Sequence, residues 1–527
     1  MMSPYLTGAG KWLFATGAIF TTFGALAREP LVVLFGQIPW WVLLGAMMLI
    51  LTQSRALQRR QVVIAVALLQ GPLRMRYGQG QTLKLSISNA APVRLGRLAF
   101  EPVVSGGVEV MASPMIPGLK SGCQVGFEAR VQAKHVGRAS LQGFEVVLSG
   151  RWGLVKTRDY LPCVQVIEIY PEQAPDVRRR VARAPGSAAQ PQRSVGRPAS
   201  AGTDLRELRD YQPGDPLRAI AWKATLRQRR LISRDYDDER GRRHVLALDI
   251  STSMRSGTPP GLKLDFAIHQ LCAQARALLA EGDEVAVYSF DHAIFGAIKP
   301  GVGLGHFQRV LHHVVGLRTI VDPARTAWDE DAVERYIADY LLVQERLDFR
   351  CQQGLDAPVD QRLLRRWLRA QLSWELARWK SEAEAHGVLE PHVSDARRFA
   401  RLRGLELPPP PEMRAGTKIN GLQALFEAVL GLGKGPVQLT IYSDLCGLNE
   451  VDVLERYVRL ARRRGVRAGV VAPFTPEFGR EELPADEHQA RVRELFAIAE
   501  AGERASAASR MEALGVPVEF VGPRRGA

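Results

Sequence analysis

Three oxygen-bearing side chains at alternate positions, Asp249, Ser251 and Ser253, have the types and spacing to do chemistry. One carboxylate and two hydroxyls are hard donors, the kind Mg²⁺ takes while keeping some of its waters. They follow the apolar run Val245-Leu246-Ala247-Leu248, and a helical pattern from about Lys263 to Leu279 comes next. Ligands of open α/β sheets lie outside the carboxyl ends of the strands. The triplet therefore belongs on a strand-to-helix loop at such an edge. The same residue types also serve there simply as helix N-caps. As a hydrolytic site the triplet is incomplete. Ser251 stands where a D-x-D-x-T phosphatase carries its second carboxylate, and a serine cannot replace that acid/base. A phosphoacceptor aspartate needs an acidic pair at the carboxyl end of a neighbouring strand, whereas Asp237-Asp238 precede the strand.

The D-x-S-x-S pattern resembles that of the von Willebrand factor A domain, whose metal site is the metal ion-dependent adhesion site. The resemblance implies two further loops. Gly416-Thr417, ahead of the helical pattern Ile419 to Leu430, resembles the second, which supplies a threonine. The apolar strand Leu439-Thr440-Ile441-Tyr442-Ser443-Asp444 resembles the third. The implied ligands of Mg²⁺, or another divalent cation, are Asp249, Ser251, Ser253, Thr417 and Asp444. In such domains an acidic side chain of a protein partner completes the metal. That function is binding, so no enzyme is expected. The enzymatic alternative is a metal-dependent phosphohydrolase using Asp249 and Asp444.

The elements that must carry these residues follow from the pattern along 527 residues, a length that allows two or three domains. Residues 1–60 hold two uncharged apolar runs, Trp12 to Ala27 and Leu31 to Gln53, separated by Arg28-Glu29-Pro30. A membrane span needs about 20 apolar residues. A transmembrane helical hairpin is expected; the alternative is a signal peptide cleaved at Ala25-Leu26-Ala27. Arg55, Arg59, Arg60, Arg74 and Arg76 follow the second run, so the positive-inside rule places the body in the cytoplasm of a multi-pass inner-membrane protein. The five scattered cysteines, with no C-x-x-C pair, fit a reducing compartment.

Residues 61–175 alternate with period two, as in Thr82 to Ser88, Val125 to Val131 and Phe144 to Leu148, and suggest a β-sandwich-like domain. Residues 176–201 read as a linker rich in Arg, Ala, Pro, Gly and Ser. Of the net charge of +15, +8 falls on residues 176–243, the linker and the segment that follows. This local concentration points away from a nucleic-acid face, although contact of the linker with nucleic acid or anionic lipid is an alternative. Residues 202–527 alternate strands and helices and predict a doubly wound α/β domain. Within it, residues 320–414 form an insertion with helical spacing (Tyr336-Ile337, Tyr340-Leu341-Leu342, Leu363-Leu364, Trp367-Leu368, Trp374), expected to be a helical subdomain with its own core and placed to lid the metal site.

The segment 202–239 carries the most specific pattern. Arg209, Tyr211, Pro213, Gly214, Asp215, Arg218, Ile220 and Trp222 resemble the signature R-x-Y-x-P-G-D-x-x-R-x-I-x-W of the bacterial family called domain of unknown function 58. Ala221 stands where that family has an aspartate. Trp222 and Ile220 are expected to anchor the segment on the sheet. The resemblance covers nearly the whole chain outside the insertion. It implies a membrane-anchored adaptor with a von Willebrand A-like domain of Rossmann-like layout. Its implied partners are a MoxR-type AAA+ chaperone ATPase and, further, a membrane protein with a transglutaminase-like domain.

Overall fold

The computed structural model describes residues 4–59, 61–66, 72–111, 115–150, 152–172, 205–211, 220–236, 242–255, 262–351, 357–372, 393–408, 418–433, 435–448, 451–473 and 487–521. The linker 176–201, Thr417, Trp374 and the signature residues Pro213, Gly214, Asp215 and Arg218 lie outside these. The chain forms two compact units. One comprises Met1–Glu172 with Val314–Ala385 and Pro391–Met413; the other comprises Gln173–His313, His386–Glu390 and Arg414–Ala527.

The first unit begins with two helices, α1 (Gly8–Ala27) and α2 (Pro30–Gln58). Among the described residues α2 is the one helix long and apolar enough to cross a membrane. The expected span at Trp12 to Ala27 does not meet that measure. The two helices approach closely because glycines line the seam. A Cβ on Gly17 would lie 2.5 Å from the Trp40 indole nitrogen, and one on Gly36 2.6 Å from the Thr21 amide. Phe14 stacks on Trp40 with centroids 5.6 Å apart.

Two sheets follow. One runs β1 (Tyr5–Leu6), β10 (Val155–Tyr170), β9 (Gly137–Ser149), β5 (Arg97–Val104), β7 (Met115–Ile116), with β3 (Leu73–Arg76) also on β10. The other runs β2 (Val62–Val66), β4 (Gly80–Asn89), β8 (Gln124–Ala133), β6 (Val108–Met111). The period-two alternation turns Leu83, Leu85 and Ile87 of one sheet, and Phe144, Val146 and Leu148 of the other, into a single apolar cluster. Ile50 and Leu57 of α2 enter the same cluster.

The insertion has a core of its own, including Val333, Ile337, Leu364, Leu368 and Phe399. Buried Arg397 ties it together, donating to the carbonyls of Val321 and Trp328, to Thr326 Oγ1 and to Glu330. It departs from expectation in its affiliation, because it belongs to the β-sheet unit and not to the α/β unit. Arg346 donates to Asp159 Oδ1 at 2.7 Å, and Ser140 Oγ to the Arg403 carbonyl at 2.8 Å.

The second unit opens with a hairpin, β11 (Leu205–Asp210) and β12 (Ile232–Tyr236), with the short helix α3 (Trp222–Gln228) between them. Ile220 and Ala221 are buried there, and Ala221 N donates to the Ile232 carbonyl. Trp222 is 59% exposed, so it is not an anchor as the sequence suggested; its apolar neighbour Ile220 is. A six-stranded sheet follows, ordered β15 (Ile294–Gly301), β14 (Glu284–Phe290), β13 (Arg243–Asp249), β16 (Val437–Tyr442), β17 (Val466–Pro473), β18 (Val518–Val521). All neighbours are parallel except β15 on β14. In order of appearance the strands read 3-2-1-4-5-6, which puts the reversal of direction between β13 and β16. Central β13 is buried from His244 to Asp249, as a run of apolar residues without alternation requires. Helix α4 (Lys263–Ala280) follows β13 through the Asp249 loop, and α8 (Lys418–Leu430) precedes β16. Between α4 and α8 come α5 (Gly303–Gly316), α6 (Glu330–Tyr340), the helical residues 361–372 and α7 (Asp395–Arg403); α9 (Glu455–Arg463) and α10 (Glu487–Ala513) come after β16 and β17.

Candidate functional site

The carboxyl ends of β13 and β16 bring Asp249 and Asp444 together at the point where the sheet reverses. Both are fully buried. Asp249 Oδ1 accepts from the Ser251 amide at 2.9 Å, which turns the chain out of the strand. Asp249 Oδ2 accepts from Ser443 Oγ at 2.6 Å. The Ser251 and Ser253 hydroxyls are 3.0 Å apart, and Ser253 Oγ donates to Asp444 Oδ1 at 3.0 Å. Four of the five expected ligand residues therefore converge. The fifth, Thr417, lies outside the described residues.

The centre of this group is taken by a side chain that the sequence reading did not single out. Lys418, first residue of α8, is buried. Its ammonium lies 2.8 Å from Asp249 Oδ2, 2.9 Å from Asp444 Oδ1 and 3.1 Å from Ser253 Oγ. An ammonium has three protons, and here each has an acceptor. Burial alone acts to depress its pKa, but Asp249 and then Asp444 overcome that and hold it well above the usual lysine value. Asp444 shows the converse. Burial pushes its carboxyl up, and Lys418 and Lys263 outweigh that and hold it well below the ordinary range.

A second buried lysine, Lys263 at the start of α4, is 3.2 Å from Asp444 Oδ2 and also bonds Glu500 of α10. Asp444, Cys446 and Glu500 present ligand atoms within 4.8 Å of one another, but the Lys263 ammonium already bridges the two carboxylates. Arg504 donates to the Asp444 carbonyl at 2.9 Å and sits 3.9 Å from Glu500. The carboxylates Asp249, Asp444 and Glu500 are thus matched one for one by Lys418, Lys263 and Arg504.

The donor chemistry suits Mg²⁺, yet the arrangement does not fit it. A divalent ion needs these oxygens at about 2.1 Å, and three of them are already bonded to the Lys418 ammonium. Adding the ion requires displacing a buried cation. The signal for Lys418 was present, since it directly follows the expected Thr417. A lysine there reads as an ordinary surface residue until the fold aims it inward.

Residues 207–339 match the family model described as protein of unknown function DUF58. That segment is a DUF58 segment. The DUF58 segment contains Asp249, Ser251, Ser253 and Lys263, whereas Lys418, Asp444 and Glu500 come from beyond it. No curated protein matches the chain. Similar solved structures include native alpha-2-macroglobulin of E. coli, at 21% identity, covering 21% of this chain and 7% of that one with a TM-score of 0.17. A non-cellulosomal cohesin from Archaeoglobus fulgidus is 14% identical over 21% of this chain and 91% of its own, with a TM-score of 0.14. A FixG-related protein from Vibrio parahaemolyticus is 9% identical over 20% of this chain and 96% of its own, with a TM-score of 0.13. The chain spans only 7% and 16% of the length of the first two alpha-2-macroglobulin chains. At these scores the likenesses carry no argument about function.

Proposed function

We propose that this chain is a membrane-anchored adaptor without catalysis of its own, which docks a protein partner at the carboxyl edge of its α/β sheet. One observation carries the reading. Both strand-end carboxylates are buried and saturated, Asp249 by Ser443, Lys418 and the Ser251 amide, and Asp444 by Ser253, Lys263 and Lys418. A phosphohydrolase built on them would need one free to attack or to take a proton. Ser253 beside them is half-buried, so the cluster reaches the surface of the sheet edge at this residue. The strand order, and the place of the cluster at its reversal, support a von Willebrand A-like reading of this unit. Mg²⁺ enters the reading only by displacing Lys418.

The partner proposed from the family resemblance is a MoxR-type AAA+ ATPase, with a transglutaminase-like membrane protein as a further candidate. The test is direct binding between the full chain in detergent and such a purified ATPase, with and without chelator. Saturable binding lost in Ser251→Ala/Ser253→Ala supports docking at this edge. Binding unaffected by that pair moves the interface elsewhere, and turnover of generic phosphoesters by the pure chain overturns the adaptor reading.

The anchor is proposed to be a hairpin that leaves the body in the bacterial cytoplasm. Residues 30–49 of α2 span about 30 Å at 1.5 Å per residue, the thickness of a hydrocarbon core. Ala46 near their end, and Ile50 and Leu57 beyond them, are already in the sandwich core. Tyr5 and Leu6, ahead of α1, pair with Lys156 and Val155 of the same sandwich. A chain that leaves a domain at Thr7 and rejoins it at Ala46 must recross whatever it crosses. Phe20, Phe23 and Leu26 of α1 and Leu34, Phe35 and Trp41 of α2 face outward, as lipid-facing residues do.

A further inference from the structure

Where the two helices meet the sandwich they leave an open cleft of about 900 Å³, lined by Leu49 and Gln53 of α2 and by Arg94, Arg97, Trp152 and Lys156 of the sandwich. Three features of its wall point to one ligand chemistry. Arg94 and Arg97 are exposed and Lys156 is half-buried. Among the described residues none of the three is paired with a carboxylate, so the cleft carries uncompensated positive charge. Gln53 is 4% exposed. Its Nε2 donates to the Arg94 carbonyl at 2.9 Å, while its Oε1 is buried without a partner. An unsatisfied buried acceptor is costly and asks for a donor. Finally, the wall is amphipathic, since Leu49 and Trp152 are both well exposed beside the cations.

The level of the cleft selects among phosphate-bearing ligands. Leu49 ends the stretch of α2 that matches a hydrocarbon core, so the cleft lies at the depth of the lipid head groups, where an exposed tryptophan is the characteristic side chain. We propose that this cleft binds the head group of an anionic glycerophospholipid. The phosphate is held by Arg94, Arg97 and Lys156, a head-group hydroxyl donates to Gln53 Oε1, and the acyl chains leave along Leu49 and Trp152. Guanidinium groups suit the phosphate because their donors match its oxygens in pairs. This inference rests on the membrane-anchor reading given above.

The experiment uses the full chain in uncharged detergent micelles. Dihexanoyl phosphatidylglycerol is titrated in, and bound lipid is counted by native mass spectrometry. The comparisons are dihexanoyl phosphatidylcholine, glycerol 3-phosphate and the variant Arg94→Gln/Arg97→Gln/Lys156→Gln, whose changes fall on exposed or half-buried side chains. The expected result is one saturable phosphatidylglycerol site, weakened about 100-fold in the triple variant, at roughly fivefold per basic residue. Gln53→Leu should retain phosphate binding but lose preference for the glycerol head over phosphatidic acid. Equal binding by wild type and triple variant overturns the proposal. Glycerol 3-phosphate binding as tightly as the lipid also overturns it, in favour of a free phosphoanion site. Carbonate extraction of cell membranes tests the anchor separately. Release of the wild type there refutes the anchor and leaves the micelle titration to decide the cleft.

Discussion

The ammonium of Lys418 lies 2.8 Å from Asp249 and 2.9 Å from Asp444, between two strands that meet only in the folded sheet. A buried cation therefore stands where a divalent ion was expected, and the two aspartates depend on it for charge balance. The removal of one partner from a buried ion pair leaves the other uncompensated, at about 3–5 kcal/mol.

Lys418→Met should destabilise the α/β unit by an amount in that range, seen as a lower melting temperature. Millimolar Mg²⁺ should restore part of it, because the vacated oxygens then suit a cation. The wild type should melt alike in chelator and in Mg²⁺. Thermal scans of the two proteins in both buffers check this, and a chelator-sensitive wild type would refute the assignment of the central cation to Lys418.

Asp249→Ala, which looks harmless for a loop ligand, should also destabilise by about 3–5 kcal/mol. Asp249 is fully buried and bonds Lys418, Ser443 and the Ser251 amide. Loss of partner binding in that variant is thus no evidence about a docking site unless its melting is unchanged. Ser253→Ala, at a half-buried position, is the cleaner probe.

The signature segment should divide by burial. Ile220→Ala should cost about 2–5 kcal/mol as a buried aliphatic truncation. Trp222→Ala, at an exposed position, should stay within about 0.5 kcal/mol. Denaturation midpoints of the two variants test this, and a large loss for Trp222→Ala would mean that its ring is covered in the assembled protein.

Two histidines should make the α/β unit sensitive to mild acid. Burial depresses the pKa of His306, whose Nε2 bonds the Val285 carbonyl at 2.6 Å while Nδ1 has no acceptor. Burial also depresses that of His244, only partly offset by Asp283. Just below the ordinary value of 6.5 the unfolded chain binds more protons than the folded one, so stability rises with pH there. The contribution is complete above 6.5 and is lost as pH falls through the folded values. His306→Gln should flatten part of this slope in melting scans between about pH 5 and 7.

The orientation of the body can be read from its free cysteines, since Cys123 and Cys351 are exposed. An impermeant maleimide should label neither in intact spheroplasts and both after lysis. Labelling of intact spheroplasts would place the sandwich outside and overturn the positive-inside reading.

Much of the fold was legible because its signals are local. The period-two alternation of residues 82–88 and 125–131 places β4 and β8, and the unbroken apolar run 245–248 marks a strand buried on both faces. The same locality made Asp249, Ser251, Ser253 and Asp444 visible, since each sits where an apolar strand ends. The sequence by itself thus determined the elements, their order and four oxygen donors at strand ends.

The tertiary structure decided what those donors bond. Whether Lys418 and Lys263 reach into the cluster or into water depends on how α8 and α4 pack at the edge of the sheet, and that is a contact between segments more than a hundred residues apart. Exposure is likewise a property of neighbours. Trp222 reads as an anchor by residue type, yet the hairpin buries Ile220 and Ala221 beside it and leaves the ring outside. The insertion has the composition of a self-contained helical subdomain, but its affiliation with the β-sheet unit rests on pairings such as Arg346 with Asp159, which no periodicity encodes. Periodicity reports the environment of a residue relative to its own element, and the identity of the partner is fixed only when elements meet.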